Sequence, residues 1–351
     1  MILIIKLRLK FCFIYNVFEA LNLVRIIGEH RKKTYMDNHT NSPTIFGHLQ
    51  ICRFDHWIKN IFILPGILVA ASIYPQSINF VLLAHIAIGF LAAGLIASSN
   101  YVINEVLDAP FDTLHPTKRL RPTPSGFVNI KLAYLQWIVL MLAGLALASL
   151  VSQTLVIVLF WLWLMGCVYN IPPLRAKDIP YIDVLVESIN NPIRLLVGWY
   201  IVAPPFQIPA SLLISYWMIG AYLMAIKRFA EMRDISRNIS ARQYRKSFAY
   251  YTEQNLLVSI MFYAAASMLF FGAFVMRYRL ELILSFPLIA FIMAMYLNLA
   301  FKEDGVAQAP EKLWKEGPLM IASFLCLVLM VFLMNYPLPA FTAFFQQSMM
   351  P

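Results

Sequence analysis

SSNYVINEVLDAPFDTLHPTKRLRPTPSG, residues 98–126, is where a long apolar run gives way first to acids and then to bases. If the run is helical and the helix persists, Asn104, Asp108 and Asp112 lie at i, i+4 and i+8. They then fall about 40° apart per step, on one face. Such a face is a stripe of oxygen ligands. Magnesium is usually held by one or two carboxylates, with substrate phosphates and waters completing its octahedron. Lys118, Arg119 and Arg121 follow at once and suit the phosphate oxygens that a metal leaves unmet. The stripe requires the helix to survive Pro110, at a place where a proline ordinarily kinks or ends it. A solvated loop at the end of a membrane helix accounts for the same letters without any chemistry, and the stretch alone does not separate the two readings.

Outward from this stretch, the whole chain is apolar. Its 351 residues are 60% hydrophobic and 13% charged, with mean hydropathy +0.69, against about 25% charged in a soluble domain. The composition therefore implies an all-α polytopic membrane protein. Cys12, Cys52, Cys167 and Cys326 are scattered, without C-x-x-C or a His spacing. They read as free thiols rather than a zinc or disulfide framework. Neither a P-loop nor G-x-G-x-x-G is present, so ATP-driven and dinucleotide chemistry lose their usual signature.

About nine spans are expected, near 57–75, 81–107, 130–150, 153–170, 182–203, 209–229, 255–276, 280–300 and 316–337, each close to the length a bilayer needs. Lys32, Lys33, Arg53 and Lys59 flank the first span, and the loops after spans two, four, six and eight carry most of the other Lys and Arg. The opposite turns, near Tyr74, Ser152 and Pro204, carry none, and only Arg277 and Arg279 lie on that side. By the positive-inside rule the charged face is cytoplasmic. The formal charge of +10 thus records topology, and nucleic acid is not an expected partner. Residues 1–45 read as an amino-terminal extension, either an interfacial basic helix or a segment preceding a start at Met36. Residues 46–351 read as the membrane domain.

Further polar groups gather on the cytoplasmic side. The loop after span four, YNIPPLRAKDIPYIDV, carries Arg175, Lys177, Asp178 and Asp183 behind a helix-stopping Pro172-Pro173; topogenic charge explains it as well as chemistry does. Span five holds Asn190, Asn191 and Arg194 in an apolar run, and an ionisable group there is expensive enough to imply a cavity or a partner. Span six ends in KRFAEM, where Lys227 and Glu231 share a helical face and Arg228 turns away, so a simple helical salt pair between Lys227 and Glu231 is the plain reading. This corner matches that of span two, as a loose internal duplication would place it. His115 is assigned no role.

With these residues laid out, the sequence resembles the UbiA superfamily of intramembrane prenyltransferases. That family's N-D-x-x-D-x-x-x-D motif, at the end of the second span, stands here as Asn104, Glu105, Asp108 and Asp112. The closer likeness is to the decaprenyl-phosphate phosphoribosyltransferase branch. It is carried by HWIKNIFILPG (56–66), residues 98–126, the loop from Tyr169 to Val184, and KRFAEM followed by Arg245, Lys246, Ser247, Tyr251 and Thr252. In aromatic prenyltransferases the corner after span six carries a second Asp-rich motif; this chain has Lys227-Arg228-x-x-Glu231 there.

The resemblance implies that Asn104, Asp108 and Asp112 hold Mg²⁺ on a diphosphate. Glu105, standing in place of Asp, is long enough to join the metal shell. It also implies phosphate binding by Lys59, Lys118, Arg119, Arg121, Lys227 and Arg228, with Lys227 serving the donor more than the lipid. Asn60, Tyr169, Arg175, Lys177, Arg194 and Glu231 complete the expected substrate-binding set. The implied activity is transfer of phosphoribose from 5-phosphoribosyl diphosphate to a polyprenyl phosphate at the cytoplasmic face of the inner membrane. Two alternatives stay open: prenyl transfer from a polyprenyl diphosphate to an aromatic or quinone precursor, and a non-enzymatic lipid carrier or transporter. Assembly into a homo-oligomer is also left open.

Overall fold

The structure is a computed structural model that describes residues 42–113, 118–237, 246–302, 306–308, 313, 315–341 and 343. Most of the expected extension, His115 and Arg245 lie outside the described residues. Every regular element among the described residues is helical. The Thr44 hydroxyl accepts from the Gly47 amide and caps α1 (Ile45–Ile51). Arg53, in the left-handed region at φ 49°, turns the chain into a 3-10 segment, Phe54–Ile63, that runs into α2 (Leu64–Ile73). Then come α3 (Phe80–Asp112), capped by Asn79, α4 (Ile130–Ser149), capped by Asn129, and α5 (Gln153–Asn170), capped by Ser152. These are the side chains that best satisfy the free amides of a helix start.

Helix α3 passes Pro110 and ends at Asp112. A proline two residues from the end removes only one ladder bond, so the stripe survives. The expected fifth span is two helices in series, α6 (Ile182–Ser188) and α7 (Asn190–Val202), with Ile189 between them. Pro192 explains the break, since its ring opposes the carbonyl four residues back, on Ser188. The chain continues through α8 (Ala210–Arg237), α9 (Glu253–Tyr278), α10 (Phe286–Leu299) and α11 (Gly317–Asn335). Among the described residues eight segments are long and apolar enough to cross a membrane; at the place of the fifth of the nine expected crossings, α6 and α7 stand as two shorter pieces.

Among the described residues the interior holds four hydrophobic clusters, of which two are large. One is packed by α2, α3, α5 and α7 through Ile63, Ile96, Leu159, Val197 and Trp199. The other is packed by α8, α9 and α10 through Phe229, Leu256, Ile260 and Tyr296. Where α2 crosses α7 the backbones nearly touch: a Cβ on Gly66 would stand 2.1 Å from the Leu195 carbonyl oxygen, and one on Gly198 2.1 Å from that of Ile63. Close approach over small residues is how helices bind in lipid, where burial of apolar surface gives no net drive. The crossing also fixes the 3-10 segment, with Lys59 and Asn60, against Arg194. Outward-facing Phe80, Leu269 and Phe324 are exposed, as side chains facing lipid are.

Candidate active site

The ends of α3, α5 and α8 meet at one end of the bundle and build two corners. At the first, Asp108 Oδ1 accepts from Lys177 Nζ at 2.5 Å and from an Arg175 terminal nitrogen at 3.0 Å. Its Oδ2 accepts from Asn104 Nδ2 at 3.2 Å. Asn104 also donates to Asn170 Oδ1 at 2.6 Å, which accepts from Lys177 at 3.0 Å as well. Arg175, at φ 31°, additionally bonds Asp178 at 3.0 Å and lies over the Phe111 ring at 4.9 Å. Asp112 is fully buried and pairs with Arg121 at 2.6 Å. Asn104, Asp108, Arg175 and Lys177 are thus brought together, and Asp112 with Arg121 completes the stripe. Lys118 opens the short 3-10 turn just before Arg121, and Arg119 beside it is exposed.

Glu105 is not brought to the stripe. One residue past Asn104, it is rotated by about 100°, and it is buried against the opposite side. Its Oε2 accepts from Arg53 Nε at 3.3 Å and from a terminal nitrogen at 3.0 Å. Its Oε1 accepts from the Thr123 amide at 3.4 Å and hydroxyl at 3.5 Å. This corrects the expectation that Glu105 reaches a metal shell. The longer side chain instead ties the left-handed turn at Arg53 to the loop that carries Arg121.

The second corner is centred on Arg228, whose side chain is 3% exposed. Its Nε donates to Asp183 Oδ2 at 2.8 Å, one terminal nitrogen to Glu231 at 2.7 Å, and the other to the Tyr169 hydroxyl at 3.3 Å. The expected Lys227–Glu231 ion pair is not formed, because the Arg228 guanidinium takes the carboxylate three residues ahead of it on the helix. The Tyr251 hydroxyl bonds the other Asp183 oxygen and accepts from the Tyr181 amide at 2.7 Å. Burial, and then the Asp183 carboxylate, raise the Tyr251 pKa, so the phenol keeps its proton and donates. Asp183, Asn170 and Tyr251 were missed as site residues in the sequence. The available signal was that each is polar and stands at the end of an apolar helix or beside one.

Between the corners, Arg194 donates to Asn60 Oδ1 at 3.3 Å and to the Asn190 carbonyl at 3.4 Å. Lys59 lies 5.8 Å from the Tyr101 ring centre. Lys227 lies within electrostatic reach of Lys59, Glu187 and Glu231.

Among the described residues no three His, Cys, Asp or Glu side chains converge as a ready metal cage. The stripe nonetheless has a donor set that suits a hard cation carried in on a substrate: two carboxylates a turn apart, an amide, and cations beside them.

These observations define a class: an integral membrane protein, helical throughout its described residues, in which acids and bases at the ends of α3, α5 and α8 gather in two corners. The chain matches the UbiA prenyltransferase family over residues 60–325 and belongs to it; it is a transferase of that family. It is 28% identical over 228 residues, 65% of this chain and 73% of the relative, to the decaprenyl-phosphate phosphoribosyltransferase of Mycobacterium tuberculosis. It is 29% identical over 199 residues, 56% of this chain and 63% of the relative, to protoheme IX farnesyltransferase 1 of Vibrio campbellii. Its fold superposes with TM-score 0.60 and 19% identity on a UbiA homolog from Archaeoglobus fulgidus solved with GPP and Mg²⁺, over 82% of this chain and 99% of that one.

Proposed function

We propose that the protein transfers phosphoribose from 5-phosphoribosyl diphosphate to a polyprenyl phosphate on the cytoplasmic face of the inner membrane, releasing pyrophosphate. One observation carries this reading. Arg228 takes both Asp183 and Glu231, so the second corner keeps its acids for itself and leaves Lys227 as the cation for a ligand. Two corners that receive phosphate suit two phosphorylated substrates, whereas a neutral aromatic acceptor has no use for the second. The similarity to a relative bearing the phosphoribosyltransferase name supports the same choice.

Asn104, Asp108 and Asp112 would hold Mg²⁺, which when bound supplies positive charge to the leaving diphosphate. Arg175 and Lys177, which neutralise Asp108 at 3.0 and 2.5 Å, stand ready to exchange that carboxylate for phosphate oxygens. An oxygen of the lipid phosphate attacks C1 of the ribose as the C1–O bond to diphosphate breaks, and the electron pair leaves with pyrophosphate. The acceptor is already an anion, so no general base is required. Fixed cations aimed at developing charge are then the main source of rate.

Membranes incubated with Mg²⁺, a polyprenyl phosphate and radiolabelled 5-phosphoribosyl diphosphate test this directly. Label is expected in the organic phase. Label that stays aqueous, while a labelled polyprenyl diphosphate prenylates an aromatic acceptor, would overturn the proposal in favour of the family's prenyl chemistry.

A further inference from the structure

Most acids in the two corners are matched to a named cation. Asp108 holds Arg175 and Lys177, Asp112 holds Arg121, Glu105 holds Arg53, and Asp183 and Glu231 share Arg228. Lys59, Arg194 and Lys227 differ: among the described residues none of them makes an ion pair with a carboxylate. Arg194 is 8% exposed, and its partners are the neutral oxygens of Asn60 and Asn190. A guanidinium in a membrane-crossing segment with only neutral partners is costly and marks a place where an anion is expected. Of the charges around it, Lys227, on α8, feels Glu231 most and then Lys59, Arg228 and Glu187, so Lys59, from the 3-10 segment, and Lys227 repel each other while the two acids stay beyond ion-pair distance of Lys227. Glu231, the nearest acid to Lys227 on its own helix, is turned to Arg228 at 2.7 Å.

Two further features make this a built site. Asn60, 3% exposed, links Arg194 to the backbone that carries Lys59, and the Gly66–Gly198 crossing holds that link rigid. His56 lies in the field of Lys59, Arg53, Lys227 and Arg121, in that order, and its Nδ1 is buried without a hydrogen-bond partner among the described residues.

We infer that Lys59, Arg194 and Lys227 form a seat for a phosphate monoester that binds without a metal, separate from the acid stripe at Asp108. Three cations that no carboxylate meets at ion-pair distance among the described residues complement a dianion, and no cluster of acids stands beside them to hold a metal. The acid stripe has the opposite character. This moves Lys227 away from the diphosphate of the donor. The chemistry named is shared by a lipid phosphate headgroup and by the sugar phosphate of a phosphoribosyl donor. Assigning the diphosphate to the stripe rests on the proposed function; the seat does not.

Calorimetry on the full chain in detergent with EDTA distinguishes the cases, with farnesyl phosphate and ribose 5-phosphate as probes and farnesol reporting tail binding alone. At least one phosphate should bind without Mg²⁺. Lys59→Gln, Arg194→Gln and Lys227→Gln should each weaken it tenfold or more, while Asp108→Asn changes it less than twofold. Lys227→Arg should retain most of the affinity, which a merely structural lysine would not explain. Farnesyl phosphate binding far above farnesol, with ribose 5-phosphate silent, assigns the seat to the lipid acceptor; the reverse assigns it to the donor sugar. Either result would stand even if the labelling assay showed no phosphoribosyl transfer. If neither probe binds without Mg²⁺, or if binding survives all three Gln substitutions, the seat does not exist.

Discussion

Asn170 and Tyr169 are neighbours at the end of α5, yet each serves a different corner: Asn170 accepts from Asn104 and Lys177, Tyr169 from Arg228. Replacing Asn170 by Leu keeps the branching of the side chain and removes the shared acceptor. Initial rates of transfer should fall about tenfold or more, with a stability loss of about 1–2 kcal/mol readable by chemical unfolding in detergent. Asp108→Asn and Asp112→Asn should each abolish most turnover in a protein that still folds; near-normal activity in both would end the stripe assignment. Their stabilities should differ, because Asp112 is fully buried on Arg121 while Asp108 is partly exposed. Glu105→Gln leaves Arg53 facing a neutral group. It should cost about 3 kcal/mol while leaving the Mg²⁺ concentration for half-maximal rate unchanged. A shift in that concentration would return Glu105 to the metal.

Among the elements, α7 is held against α2 by backbone contact at Gly66 and Gly198. Gly198→Ala would drive a methyl into the Ile63 carbonyl, and backbone cannot yield as a side chain can. The expected result is a loss of about 1–3 kcal/mol, together with weaker activity as Asn60 is levered from Arg194; thermal unfolding beside initial rates will show whether both fall. The same element shows what sequence alone could convey. The stripe on α3 was legible because helical spacing at the end of an apolar run is a local signal. The pairs that set the site were not. Glu105 meets Arg53 from 52 residues away, and Asp183 meets Arg228 from 45; no spacing rule connects segments that only the fold brings together. The Lys227–Glu231 pair was the natural local reading, and it failed because Arg228, anchored on the distant Asp183, reaches Glu231 first.

At the scale of the molecule, the alternation of charged and uncharged turns was enough to place the crossings, since hydropathy and Lys/Arg bias are summed over many residues and tolerate local error. The break at Ile189 was invisible to that sum, because α6 and α7 together have the length of one span. The charge bias puts Arg119 in the cytoplasm and Gln207, in the turn after α7, outside. A membrane-impermeant maleimide should therefore label Gln207→Cys in intact cells and Arg119→Cys only after permeabilisation; the opposite pattern would invert the protein and its site.

The divided fifth crossing also bears on how the chain enters a bilayer. Helix α7 has 13 residues, about 20 Å of rise against a hydrocarbon thickness of about 30 Å, and it carries an arginine that insertion scales penalise by about 2.5–3.5 kcal/mol at a helix centre. Emerging from the ribosome alone, it is a poor candidate for the translocon to release into lipid. Its close crossing with α2 at Gly66 and Gly198 is packing that a lone helix lacks, so the first helices of the chain are expected to be in place before the fifth crossing settles.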